Sequence, residues 1–234
     1  MDESTRNPNP TIPVALSARH VHLSQEHVEA LFGPGYQLKK LFDLSQPGQF
    51  ACQETVEVMG PKRSIGKVRV LGPARSQTQV ELSTTDGVVL GLPLPIRDSG
   101  DTQGTPGAHL IGPRGAVKLR EGCIVAARHI HTTPEDAGRL GVHDNQKVWV
   151  QFVGPRGLVF SDVLVRVSPS FKTELHLDTD EGNAASIKNG EPVRILANIC
   201  QDLCELKDCG ISSSLLPGES KPFCQLTSSG RSIR

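Results

Sequence analysis

The chain has 234 residues, of which 37% are hydrophobic, 21% charged and only 4% aromatic. Its 25 Lys and Arg cancel 25 Asp and Glu, so bulk charge supplies no attraction to nucleic acid or an anionic membrane. No apolar run approaches the roughly 18 residues of a spanning helix, and MDESTRNPNP lacks the basic and apolar regions of a signal peptide. The expectation is a cytoplasmic protein with neither nucleic-acid nor membrane partners.

Residues 1–11 are polar, contain two prolines and show no periodicity, which predicts a disordered N-terminal segment. From Ile12 to about Leu196, short period-two runs alternate with Gly-Pro turns. Strands are predicted at Val68–Leu71, Thr78–Leu82, Val88–Leu90, Lys147–Phe152, Leu158–Val167 and Thr173–Leu177. Helical spacing is confined to about 24–32, 134–140 and 180–188. The fold class is therefore all-β: mainly β with short α-helices. Many short strands cannot leave their edges bare, which favours small β-barrel modules, with a single large sandwich as the competing architecture. Cys52 and Cys123 are isolated. Cys200, Cys204, Cys209 and Cys224 crowd the C-terminal end at spacings that fit no zinc knuckle, so free thiols are expected ahead of a structural metal or redox site.

The chain also repeats itself. Ala18-Arg19-His20-Val21-His22-Leu23-Ser24 recurs 109 positions later as Ala127-Arg128-His129-Ile130-His131-Thr132-Thr133. Both copies lead from a strand into a helix, with Ser24 and Thr133 as natural N-caps and Pro134 suited to the first helical position. Two related modules are implied, and the repeat leaves open which of them owns the N-terminal strand.

Alternate residues of a strand share a face, so His20 projects with His22, and His129 with His131. Two imidazoles at that spacing reach one metal ion, and the duplication favours this over a repeated structural hydrogen-bonding motif. Glu81 points away from Val80 and Leu82, toward a site or toward solvent, and His176 is placed in the same way between Leu175 and Leu177. His27, His109 and His143 lack such pairing and are expected on a helix surface or in loops. Arg75 and Arg97 are candidate anion ligands because a guanidinium offers a planar donor fork, although either could be a plain surface arginine. The polar, Gly-rich stretch from Ser99 to Gly107 reads as an ordered loop near a site. It lacks the Gly-Lys-Ser/Thr ending of a phosphate-binding P-loop.

Taken together, Ser17–Ser24, Thr78–Ser83, Pro95–Asp101, Thr105-Pro106-Gly107 and Ala126–His131 resemble the motifs of the zinc-dependent phosphate acyltransferases of the phosphate propanoyltransferase type. The resemblance covers roughly residues 12–196. It implies interconversion of acyl-CoA (propanoyl-CoA or acetyl-CoA) plus phosphate with acyl phosphate plus CoA. It also implies two β-barrel modules, one formed by 12–18 with 127–196 and the other by 19–126, and leaves 197–234 as a C-terminal extension. It further implies two divalent metal ions, normally zinc. His20, His22 and Glu81 would hold the first, with an open position for the CoA sulfur, and His129, His131 and His176 would hold the second. Arg75 matches the family's essential arginine, and Arg97 and Ser99 become candidate phosphate or CoA contacts. Homo-oligomers and microcompartment shell or lumen proteins are implied as partners, with residence inside a bacterial microcompartment. Residues 1–11, however, carry no apolar stripe of an encapsulation peptide, whereas Leu196, Ile199, Leu203 and Leu206 recur at helix-face spacing. Two other functions compete: a metal-dependent hydrolase of acyl phosphate or thioester, and a non-enzymatic metal-binding scaffold.

Overall fold

The structure is a computed structural model and describes residues 10–196. The expectations for the first nine residues, for the four C-terminal cysteines and for the helix-face pattern beyond Leu196 lie outside the described residues. In chain order the elements are β1 (Thr11–Ser17), β2 (His20–Ser24), α1 (Gln25–Phe32), β3 (Lys40–Asp43), β4 (Phe50–Met59), β5 (Ser64–Arg75), β6 (Gln79–Glu81), α2 (Thr84–Leu90), β7 (Ile96–Arg97), β8 (His109–Ile111), β9 (Ala116–Lys118) and β10 (Cys123–Ala126). They continue as β11 (His129–Thr132), α3 (Pro134–Leu140), β12 (Lys147–Phe152), β13 (Leu158–Val167), β14 (Glu174–Asp178), α4 (Thr179–Ala185) and β15 (Pro192–Leu196).

Six strands close a barrel in the order β1-β14-β11-β13-β12-β15. Its interior is filled by alternate apolar residues, among them Val14, Ile130, Val150, Val163, Val165 and Leu175. The remaining nine strands form one sheet, β7-β10-β6-β2-β5-β4-β8-β9, with β3 paired to β4. Val21, Leu23, Val56, Val70, Val80 and Leu110 make its core.

This second sheet does not close, which corrects the expectation of two barrels. In the barrel, β15 pairs antiparallel with β1 and completes the ring. In the sheet, the segment available for that job is interrupted. Pro93, Pro95 and Pro106 carry no N–H for a ladder, and residues 98–105 fold into two turns, with Asp101 N donating to Asp98 O and Thr105 N to Thr102 O. What remains are edge strands of two residues (β7) and three (β9), too short to template further pairing.

Both sheets contain the same local unit. β2 lies parallel to β5 and antiparallel to β6, and β11 lies parallel to β13 and antiparallel to β14. A helix follows β6 and another follows β14. The strand that precedes each His-x-His motif pairs in the opposite module. β1 hydrogen-bonds to β14 and β15 of the barrel, two residues before β2 enters the sheet. β10 pairs with β6 and β7 of the sheet, two residues before β11 enters the barrel.

The helices are short and held by their caps. Ser24 accepts from His27 N at 3.3 Å, and Thr133 accepts from Asp136 N at 3.1 Å, with Pro134 opening α3. Val88–Leu90 is helical, contrary to the predicted strand. Ser83 and Asp86 form a reciprocal capping box worth about 1 kcal/mol, and Gly91 ends the helix in a left-handed conformation (φ 75°), so local capping overrides the β-branched pair Val88-Val89. His109 is also displaced from its expected loop. It lies on β8, where the ladder to β4 pairs it with Met59.

Candidate active site

The side chains of Val21, Leu23 and Ile130 fill the two cores, so the alternating strand geometry turns His20, His22, His129 and His131 to the opposite faces. Register supplies the third member of each group. His20 sits opposite Glu81 across the β2–β6 ladder, and His129 sits opposite His176 across β11–β14. Within each set of three, one ligand atom per residue lies within 4.8 Å of the others.

Local hydrogen bonds fix the leading histidines. His20 Nδ1 donates to the Ala18 carbonyl at 2.8 Å and His129 Nδ1 to the Ala127 carbonyl at 2.8 Å, so Nε2 of each ring is left open. His20 Nε2 then lies 3.4 Å from Glu81 Oε2, and His22 Nε2 lies 4.0 Å from Glu81 Oε1. In the second group the ring centroids of His129, His131 and His176 stand 4.6–4.9 Å apart, with His129 and His176 stacked. The motif arginines brace both crossovers. Arg19 forks onto Asp86 with contacts of 2.8 and 3.0 Å, and Arg128 reaches Glu181 at 2.8 Å and the Ser161 carbonyl at 2.8 Å. Asp86 and Glu181 occupy the same capping-box position in α2 and α4.

The electrostatics favour neutral rings at His22, His129 and His131. Burial, together with the neighbouring His20 and Arg75 charges, pushes His22 down to about 3 against the pull of Glu81 and the Leu71 carbonyl. Burial and His176 lower His129 to about 4, and burial with the two neighbouring rings lowers His131 to about 3. Burial also acts to lower His20, but the Glu81 carboxylate and the Ala18 carbonyl outweigh it and the net shift is upward. Glu81 resists its own burial because His20, His22 and Ser99 hold it well below the usual carboxylate range.

The donor sets fit divalent cations. One offers two imidazoles and a carboxylate, the other three imidazoles, and these are the ligand types of zinc, with a backbone carbonyl fixing the leading ring of each set.

Both groups line one cavity of about 690 Å³. Arg75, at the end of β5, lies on its wall half-buried; burial lowers its pKa while Glu81 opposes that shift. Ser99 lines it too, and its hydroxyl donates to Glu81 Oε1 at 2.8 Å. Arg97 does not line it, and pairs instead with Asp101 at 3.6 Å. His27 stands apart, its Nδ1 2.7 Å from Thr78 Oγ1, and His143 is in a loop with its backbone N–H on Gln146 Oε1.

Sequence reasoning missed several residues of this cavity. Arg69 and Arg166 add two guanidiniums to its wall, and the alternation Val163-Leu164-Val165-Arg166-Val167 sets Arg166 opposite His131. Gln79 and Glu174, which do not line the cavity but contact Glu81 and His176, were also overlooked, although each lies two positions before a third ligand on the same strand face.

Comparison with known proteins follows the same residues. The phosphate propanoyltransferase family matches residues 13–188. A phosphate propanoyltransferase of Listeria monocytogenes is 52% identical over 179 residues, covering 76% of this chain and 84% of the relative. One from Priestia megaterium is 54% identical over 191 residues, covering 82% and 88%. One from Thermotoga maritima is 52% identical over 189 residues, covering 80% and 90%. The family match spans both His-x-His strands and nearly the whole described fold. The chain belongs to the phosphate propanoyltransferase family, a family of acyl-transferring enzymes.

Proposed function

We propose that the protein interconverts acyl-CoA, either propanoyl-CoA or acetyl-CoA, and phosphate with acyl phosphate and CoA through a two-metal site. The observation that carries this reading is the pair of ligand groups opening on one cavity whose wall also bears Arg75. His20, His22 and Glu81 would hold one ion and His129, His131 and His176 the other, zinc being the metal suited to these ligands. When bound, such ions supply Lewis-acid stabilisation of developing negative charge and a soft partner for a thiolate.

The chain's own groups supply the rest. The Arg75 fork binds two phosphate oxygens and holds the third toward the thioester carbonyl, and Arg166 adds positive potential on the side of the second group. The two ligand sets differ by one charge. The first includes a carboxylate and the second does not, so the second side would repel an anion less and would be the side that receives phosphate. A phosphate oxygen forms the new C–O bond as the C–S bond breaks, and the proton of hydrogen phosphate ends on the CoA thiol. No protein nucleophile is needed. Cys52 and Cys123 are core residues whose thiols are pushed up to about 11 and about 12, by burial at both and by the neighbouring Glu54 carboxylate at Cys52, so neither is poised as a thiolate.

The same reading divides the chain into a barrel module of 12–18 with 127–196 and a sheet module of 19–126, with the reaction at their shared cavity. The test is phosphate-dependent thiol release from acetyl-CoA and propanoyl-CoA, with acyl phosphate measured as the product. Release that ignores phosphate would identify a hydrolase, and no release from a folded, zinc-loaded sample would leave a scaffold.

A further inference from the structure

The two ligand groups differ in their third member, a carboxylate in one and an imidazole in the other. A second difference accompanies it. Gln79 and Glu174 occupy equivalent positions, each two residues before the third ligand and opposite the second histidine of its pair, His22 or His131. Each side chain reaches along its strand to the third ligand. Gln79 Nε2 donates to Glu81 Oε1 at 2.6 Å. Glu174 Oε1 lies 3.1 Å from His176 Nε2.

Both partners are themselves held in place. Gly100 N donates to Gln79 Oε1 at 2.7 Å, which fixes the amide so that its NH₂ faces Glu81, and that NH₂ also reaches Ser99 Oγ at 3.0 Å. Glu174 is 4% exposed and its Oε1 accepts from Ser45 Oγ at 2.6 Å and Gln46 Nε2 at 2.7 Å. Gln46 also clasps Lys172 through both its backbone N–H and its carbonyl, so a loop between β3 and β4 of the sheet module locks a carboxylate of the barrel.

The His176 contact is off the line of a straight hydrogen bond, and Nε2 has no well-aligned partner among the described residues. Its distance still decides the proton. An unprotonated nitrogen 3.1 Å from a carboxylate oxygen would set two lone pairs against each other in a buried site. The proton therefore sits on Nε2, and Nδ1 is the nitrogen left for the ligand group.

We infer that Gln79 and Glu174 are matched positioning residues: an amide donor orients the carboxylate ligand Glu81, and a carboxylate acceptor orients the imidazole ligand His176. The matching is chemical as well as positional. A carboxylate beside Glu81 would repel it, and an amide at position 174, its oxygen kept toward His176 by the Ser45 and Gln46 donors, would offer Nε2–H only a neutral and weaker acceptor. This inference rests on the two-metal reading above, and it adds that each ligand set works only with its own partner.

The experiment is zinc titration against a competing chelator for the wild type, Gln79→Glu, Glu174→Gln, Glu81→His and the double variant Gln79→Glu/Glu81→His, with far-UV circular dichroism and melting of each metal-free protein. Wild type binds two equivalents. Gln79→Glu and Glu174→Gln each weaken one equivalent by about 10–100-fold, the usual effect of losing an outer partner of a metal ligand, and leave the other unchanged. Glu81→His alone binds the affected equivalent weakly. The double variant, which rebuilds the first group in the image of the second, recovers it to within about tenfold of wild type. Singles that match wild type, or a double no tighter than Glu81→His, overturn the inference while the two-metal reading stands. A wild type that binds no zinc sinks the two-metal reading itself, and this inference with it. Should Gln79→Glu fail to fold, the isosteric Glu174→Gln tests the same matching from the other group.

Discussion

The open sheet and the closed barrel build comparable ligand groups on unlike frames. In both, a His-x-His strand runs between a longer parallel strand and a short antiparallel one that brings the third ligand into register. Among the described residues, only the barrel is sealed by a strand equivalent to β15. Closure is therefore not what positions the imidazoles. The three-strand unit does that, together with the Arg19–Asp86 and Arg128–Glu181 braces that tie each crossover to a helix N-terminus. What separates the groups is their donor set: Glu81 gives one a carboxylate, and the other has imidazoles alone.

The largest expected effects come from breaking either group. His20→Ala and His129→Ala should each lower phosphate-dependent acyl transfer by at least about a hundredfold, the order of a few kcal/mol of transition-state stabilisation. Their combination should cost little more than either alone, because residues acting as one unit are not additive. A variant that keeps substantial activity with one group removed would separate the two roles. Next comes Arg75. Arg75→Ala should cost about 10²–10³-fold in kcat, and Arg75→Lys should recover only part of it because an ammonium cannot form the fork.

Acid should distinguish the groups in the metal-free protein. His129 and His131 are lowered to about 4 and about 3 from an ordinary 6.5, so between those values the unfolded chain binds more protons than the native one. Their contribution to stability is flat above pH 6.5 and falls as pH drops through that window. The first group has one such histidine, His22, beside a His20 shifted the other way. Melting temperatures of the chelator-treated protein should accordingly decline below pH 6.5. Replacing His129 and His131 with Gln should flatten that decline more than His22→Gln does. The smallest effect should come from the core thiols: mass mapping after iodoacetamide treatment of native protein at pH 7 should find Cys52 and Cys123 unlabelled, and Cys123→Ala should leave acyl transfer within about twofold.

Much of the site was legible along the chain. Alternation and the 109-residue repeat singled out four histidines, whereas the apolar neighbours of Glu81 and His176 left site and solvent both open, and only the family resemblance put these two beside the histidine pairs. Arg166 was missed because a single basic residue in a valine-rich strand carries no signal until its cross-strand neighbour, His131, is known. Gln79 and Glu174 were missed for a related reason, since neither amide nor carboxylate looks special before the third ligand is placed beside it. Val88–Leu90 misled because β-branched residues read as strand when the Ser83–Asp86 capping box is overlooked.

The amino-acid order by itself determined which residues alternate, where three of the four described helices lie, and that two copies of one motif exist, because these depend on neighbours a few positions apart. Tertiary structure decided that β1 and β10 pair across the modules, that one sheet closes while prolines and turns keep the other open, and that ligand groups a hundred positions apart share a cavity. Those outcomes depend on ladder hydrogen bonds and apolar burial between distant segments, where no local pattern records the partner.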